Sequence, residues 1–375
     1  MADSLDSAVV IDADAHVIET DRTWDYLEKS EAKFRPRIVT ADDDPNTRYW
    51  LIDGKLAGLR TAATSDADVE KRTQSLSGHR DVAAPAAARK MEDISLRLEH
   101  MTELGIDIQV LHNSVWIEQL TDRPDIEIAL ARSWNRWLAD IWKEGGGRLR
   151  WTCVVPVLSV PDALDEIRFA REHGAVGVCM RPFDGDLMLL DPTFHPIYAL
   201  AEQLDLSIAI HIANGSPRLV DALRTRFSLL DGFGTFRVPT MLACYGLLRS
   251  GLSKDFPKLR WGFIEASAQW VPWVMSELAR RNGKRFTGED NPFRDANVYV
   301  TTQTSDDIRY ILDIVGEDSL VIGTDYGHTD TSSEVNAIAV FRRGDLDERS
   351  KQKILSDNPA ALYGISAREL ATAGS

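Results

Sequence analysis

The run VVIDADAHVIE at residues 9–19 places Asp14, His16 and Glu19 at the end of an apolar stretch. Four groups of the same kind follow much later: His211 in AIHI, Glu265 in FIEA, and Asp325 and His328 in IGTDYGH. Carboxylates and imidazoles are the oxygen and nitrogen donors that divalent first-row metals accept. Asp14 and His16 are two apart, so on a strand they share a face. A metal site is the chemistry this set supports, provided the intervening chain returns each group to one place.

The elements between them do so if they form a barrel. Eight short runs read as buried strands: VVIDADAH, DIQVLHNS, WTCVVPV, GAVGVCMRP, LSIAIHI, LRWGFIEA, NVYVTT and SLVIGTD. Helical patterns separate them, among them EDISLRLEHMTELG, DIEIALARSWNRWLADIWKE and SDDIRYILDIVG. Strand and helix alternating eight times predicts a (β/α)8 TIM barrel of class α/β. The whole chain, 1–375, is expected to be this one domain. His211, Glu265 and Asp325 then end the fifth, sixth and eighth strands, at the face where such barrels hold their active sites. Glu19 and His328 join them if their loops turn inward. Residues 20–90 and 214–240 are longer than ordinary connections and follow the first and fifth strands, so they are expected to cover that face.

Other side chains are expected to have ordinary roles. His112 reads as a packing residue, and His79, His100, His173 and His195 as solvated or packed. The tryptophans of SWNRWLADIWKE fit a barrel-to-helix core. Lys71, Arg72, Arg80, Arg89 and Lys90 form a basic cluster in the first insertion, with contact to a phosphate as the alternative to solvation. No glycine-rich phosphate loop, nucleophile elbow, cysteine-pair zinc site or nicotinamide or flavin fingerprint occurs. The formal charge of −15 disfavours nucleic acid and anionic membrane as partners. Three unpatterned cysteines and the lack of a signal or membrane-length segment suit a cytoplasmic protein.

The motifs DADAHVIE, AIHI, FIEASAQWVPWV and IGTDYGH together resemble the amidohydrolase-2 branch of the amidohydrolase superfamily. The resemblance implies that Asp14, His16, His211 and Asp325 bind one divalent ion. Decarboxylases of that branch carry a strand-six histidine for proton transfer, where this chain has Glu265. No strand lysine is present in GAVGVCMRPF or WTCVVPV for a carbamate bridge.

A second resemblance, to TIM-barrel nonheme diiron monooxygenases of platensimycin and platencin biosynthesis, implies a different reaction. Four carboxylates, Asp14, Glu19, Glu265 and Asp325, with three histidines, His16, His211 and His328, would balance two Fe ions. Glu265 and His328 would then also stand at the reacting centre. The expected reaction is dioxygen-dependent hydroxylation of an aliphatic C–H bond in a coenzyme A-linked diterpenoid acyl substrate. A separate reductase or other external electron donor would be required, and a homodimer through the outer barrel faces stays open. The alternatives are a mononuclear Zn- or Mn-dependent decarboxylase or hydrolase with Glu265 as general base, and a non-catalytic barrel that binds acyl-CoA or metal.

Overall fold

All eight expected strands form in the computed structural model, which describes residues 8–40, 48–57, 83–223, 232–283, 286, 290–329, 332–366 and 369. They are β1 (Ile11–His16), β2 (Ile108–His112), β3 (Leu149–Val154), β4 (Ala175–Met180), β5 (Ser207–His211), β6 (Trp261–Ile264), β7 (Val298–Thr302) and β8 (Leu320–Ile322). They hydrogen-bond in chain order, each neighbour parallel. The seam between β8 and β1 closes through Asp325 N–H to Asp14 O at 2.8 Å and His16 N–H to Tyr326 O at 2.7 Å. The (β/α)8 barrel expected from the strand count is therefore the architecture.

Helices cover the outside because their apolar positions recur at helical spacing. Helix α1 (Ile94–Glu103) precedes β2, and α2 (Pro124–Glu144) follows it. In α2, Ile126, Leu130, Trp134, Trp137, Leu138 and Ile141 are buried against the barrel while Lys143 and Glu144 remain exposed. The proline at its first turn costs no hydrogen bond, since that N–H has no intrahelical partner. Inside the barrel, Ile11, Ile108, Val176, Ala209, Ile264 and Val321 form one cluster, joined by Leu362, Tyr363 and Ile365 from the C-terminal segment.

A bulge in β1 matters for the site. The register with β2 slips between Asp12 and Ala15, and such a slip changes which face the following residues occupy. Asp12 bonds Gln109, which in turn bonds Arg97 of α1, so Asp12 serves the helix side. Asp14 and His16, of the same parity in sequence, turn into the barrel mouth.

The insertion after β1 contains a three-stranded antiparallel sheet of Arg37–Thr40, Arg48–Ile52 and Lys55–Ala57. It meets the segment beyond β2 where Thr121 Oγ1 donates to Asp53 Oδ2 at 2.7 Å. The insertion after β5 contains the helix Pro217–Leu223, and Arg237 beyond it donates to Ser332 Oγ in the loop after β8 at 2.9 Å. Lys71, Arg72, Arg80 and His79 lie outside the described residues. No described helix is long and apolar enough to cross a membrane. Cys153, Cys179 and Cys244 are free thiols, each raised above its ordinary pKa by burial.

Candidate metal centre

Six of the seven expected donors meet at the barrel mouth, and His16 stands at their centre. Its Nε2 lies 3.4 Å from Asp14 Oδ1, 3.4 Å from Glu265 Oε2, 3.3 Å from Asp325 Oδ1 and 3.2 Å from His211 Nε2. His328 stacks on the His16 ring at 3.9 Å between centroids, and its Nδ1 is 2.7 Å from Asp325 Oδ1. Two overlapping donor groups result, Asp14–His16–His211–Glu265 and His16–Glu265–Asp325–His328, each with ligand atoms within 4.8 Å of one another. All six residues are buried.

The hydrogen bonds on the far side of each ring fix which nitrogen carries a proton. His16 Nδ1 faces the Asn113 carbonyl at 2.9 Å, and His211 Nδ1 faces the Ile212 carbonyl at 3.3 Å. A carbonyl only accepts, so both Nδ1 atoms donate. In the neutral rings both Nε2 lone pairs then point at each other across 3.2 Å, beside the buried Asp14 Oδ1, which has no hydrogen-bond partner. A cation placed between them would satisfy the facing lone pairs and the buried carboxylate oxygen together. The donor set thus fits a divalent metal of the oxygen- and nitrogen-loving kind.

The electrostatics differ between the two rings. Burial, with help from neighbouring His328 and His211, pushes His16 down to about 3, which keeps it neutral as a ligand must be. Burial also acts to lower His211, but the Asp14 and Glu265 carboxylates more than offset it and raise this imidazole. Burial works against the Asp14 carboxylate, yet His16 and His211 hold its pKa below the ordinary range. Glu265 and Asp325 both adopt left-handed backbone, with φ of 65° and 51°. Non-glycine residues held there carry strain of about 1 kcal/mol or more, a cost that clusters at functional sites.

Glu19 is the exception among the seven. Its Oε1 accepts from Ser114 N–H at 3.1 Å and from Trp134 Nε1–H at 3.0 Å, and it appears in neither donor group. The expectation that Glu19 binds metal is corrected: its loop turns the carboxylate toward α2 and the start of the β2–α2 connection. His112 is satisfied as a packing residue should be, with Nε2 3.2 Å from Ala13 O and Nδ1 3.0 Å from Thr152 Oγ1. Asp12, which no motif in the sequence singles out, proves to be a hub. It accepts from Thr324 N, Thr324 Oγ1 and Gln109 Nε2 at 3.0, 2.5 and 2.9 Å. Burial pushes its carboxyl up to about 6, with those donors pulling the other way.

A pocket opens beside the donors. His211, Glu265 and His328 line one part, and Trp116, Val155, Met180 and Ala213 supply an apolar wall. Arg181 also reaches it but is neutralised. Its Nε donates to Asp184 Oδ1 at 2.5 Å, its Nη1 to Glu118 O at 3.0 Å, and its Nη2 is 3.8 Å from Glu127 Oε1. Arg181 therefore pairs with these acids.

Burial pushes Glu127 up to about 7, although Arg181 and the Leu158 N–H favour its charged form. Between its ordinary 4.5 and about 7 the folded protein keeps a proton that the unfolded chain has released. Stability attributable to Glu127 is therefore highest below that window, falls by about 3 kcal/mol across it and is level above it. Glu127→Gln should remove this component. Denaturant titrations of both proteins from pH 4 to 8 check it, and parallel stability curves would refute the assignment.

A donor set for metal at the C-terminal mouth of a (β/α)8 barrel defines the class, and sequence comparison gives the family. The chain belongs to the amidohydrolase family, whose Amidohydro_2 model matches residues 11–365. Solved structures of similar fold include an amidohydrolase from Mycobacterium avium subsp. paratuberculosis K-10, with TM-score 0.74 and 18% identity, covering 96% of this chain and 99% of that one. A 5-carboxyvanillate decarboxylase from Sphingomonas paucimobilis gives 0.63 and 20%, covering 96% and 100%. A mutant 5-carboxyvanillate decarboxylase from Novosphingobium aromaticivorans, with bound manganese and 3-methoxy-4-hydroxy-5-nitrobenzoic acid, gives 0.66 and 18%, covering 96% and 98%.

These findings correct the oxygenase expectation. The family and the similar structures are amidohydrolases and decarboxylases, and manganese is the metal bound in the last of them. The reading of two Fe ions, dioxygen and an external electron donor is withdrawn, and with it hydroxylation of a coenzyme A-linked diterpenoid. The physical reason lies in the inventory of seven. Its charge balance for two ions counted Glu19, which faces away, and the two remaining donor groups share His16 and Glu265.

Proposed function

We propose that the protein is an enzyme that uses one divalent ion, Mn or Zn, to decarboxylate a small carboxylated substrate. The observation that carries this reading is the pair of Nε2 atoms of His16 and His211, 3.2 Å apart beside Asp14 Oδ1. Asp14, His16, His211 and Asp325 are assigned to hold the ion. When bound, it supplies Lewis acidity that polarises a substrate oxygen. The protein's own residues do the rest. The wall of Trp116, Val155, Met180 and Ala213 takes the ring or chain of the substrate and excludes water. In the reaction the bond to the carboxylate carbon breaks, carbon dioxide leaves, and the electron pair stays on the substrate carbon. That carbon needs a proton, and Glu265 Oε2, 3.3 Å from His211 Nε2 at the cavity edge, is placed to pass on one taken up from water, returning to carboxylate as it does so.

Hydrolysis is the second reading, favoured by the carboxylate at the end of β6, which can take a proton from water. The test is to load metal-free protein with Mn(II) or Zn(II) and measure carbon dioxide release from a panel of hydroxylated benzoates, with esters and amides alongside. Release at one ion per chain supports decarboxylation. Cleavage of esters or amides alone supports hydrolysis. No turnover on either panel at full metal loading would defeat the proposal.

Glu265→Gln separates proton delivery from ligation. As a proton carrier, its loss should leave one ion bound and lower turnover by about 100-fold or more. Metal titration with rate measurement reads both, and loss of the ion would make Glu265 a ligand.

A further inference from the structure

We infer that Glu19 is a positioning residue for the metal centre, acting through the segment 113–117, an inference that rests on the metal reading above. Two of the donor histidines are oriented by this segment. The Asn113 carbonyl takes the Nδ1–H of His16 at 2.9 Å. Ser114 Oγ lies 2.9 Å from His328 Nε2 and donates its own proton to Val17 O, also at 2.9 Å. Since that proton is committed, the hydroxyl accepts from His328, so Nε2 of His328 carries a proton and Nδ1 is the nitrogen turned to Asp325.

The segment itself is short and irregular, and its backbone needs an anchor. Glu19 supplies one. Its carboxylate accepts from the N–H of Ser114 at 3.1 Å and from the indole of Trp134 on α2 at 3.0 Å. The residue is 2% exposed, so these donors are what its carboxylate has in place of water. Glu19 thereby fixes two neighbouring residues whose carbonyl and hydroxyl set the tautomers of His16 and His328. Groups on the far side of ligand histidines alter metal affinity by about 10–100-fold when removed.

Acceptor geometry and negative charge make different demands, which gives the test. Glu19→Gln keeps an acceptor oxygen but no charge, Glu19→Ala keeps neither, and Asp14→Asn removes a ligand. Mn(II) affinity measured by chelator competition, with melting of the metal-free proteins, reads all three. Glu19→Ala should bind Mn(II) about 10–100-fold more weakly, Glu19→Gln within about threefold of wild type, and Asp14→Asn not measurably. If Glu19→Ala does not fold, Ser114→Ala, which removes the hydroxyl that His328 meets, should show the weakened binding. Glu19→Gln as defective as Asp14→Asn would make Glu19 a ligand and overturn the inference. Wild-type affinity in folded Glu19→Ala, or in Ser114→Ala where that variant stands in, would overturn it while leaving the metal reading intact. A wild-type protein that binds no divalent ion would overturn both.

Discussion

Asp325→Asn protein will fold, lose its divalent ion and show no turnover, while its metal-free form melts at or above the wild-type temperature. Asn is the informative replacement because Asp325 has φ of 51°, a conformation that Asn tolerates nearly as well as Asp. The Ser333 hydroxyl bonds to the backbone oxygen of residue 325 at 3.1 Å, and that contact survives. What changes is charge. Asp14, Glu265 and Asp325 crowd one buried histidine nitrogen within 3.4 Å, and buried carboxylates in such proximity oppose each other's ionisation. Removing one relieves the metal-free protein by about 1 kcal/mol, a shift on the order of 2 °C. Loss of a direct ligand should weaken binding by more than the roughly 100-fold that marks the upper end for outer groups. Wild-type protein at about 100 times its dissociation constant gains about 2.7 kcal/mol from metal, and the variant should gain none. Melting curves with and without Mn(II), alongside metal analysis, decide it. Wild-type metal content in the variant would remove Asp325 from the centre.

The barrel is legible in the sequence because each strand is a short apolar run and each helix carries its own period, and those signals do not depend on distant contacts. The positions of His211, Glu265 and Asp325 are legible for the same reason: a residue at a strand's end sits at the mouth once the barrel closes. Glu19 is not, because it stands beyond the strand, where a loop's direction is set by partners such as Ser114 and Trp134, 95 and 115 residues away. Counting its charge with the others is what balanced two ions. The glycines of IGTDYGH carry a signal of their own. A Cβ on Gly323 would lie 2.6 Å from that of Asp14, and Gly327 has φ of 113°, so both are required by the close approach of β8 to β1.

Asp12 escapes notice in the sequence because its parity matches Asp14 and only the bulge in β1 separates their roles. Asp12→Ala should destabilise the protein by about 3 kcal/mol, because it leaves buried donors without an acceptor. Three donors from Thr324 and Gln109 lose their acceptor at once, and each unmade bond in a dry interior costs about 1–3 kcal/mol before the structure relaxes. The position magnifies the effect. Between β1 and β8 the backbone contacts include Asp325 N–H to Asp14 O and His16 N–H to Tyr326 O, and Thr324, gripped by Asp12, immediately precedes Asp325. Freeing Thr324 lets the seam open where two metal donors are attached. On the other side, Gln109 holds Arg97, whose guanidinium lies 3.7 Å over the Tyr326 ring, so the same loss loosens Tyr326 from the helix layer. The expected result is a lower denaturation midpoint together with weaker Mn(II) binding, even at temperatures where the variant is fully folded. Asp12→Asn, which keeps one acceptor oxygen, should recover part of both. Denaturant unfolding and chelator competition measure the two effects independently. A folded Asp12→Ala protein with wild-type stability would show that the seam does not depend on this carboxylate. Reduced stability with unchanged metal affinity would show that the seam and the metal centre are not coupled.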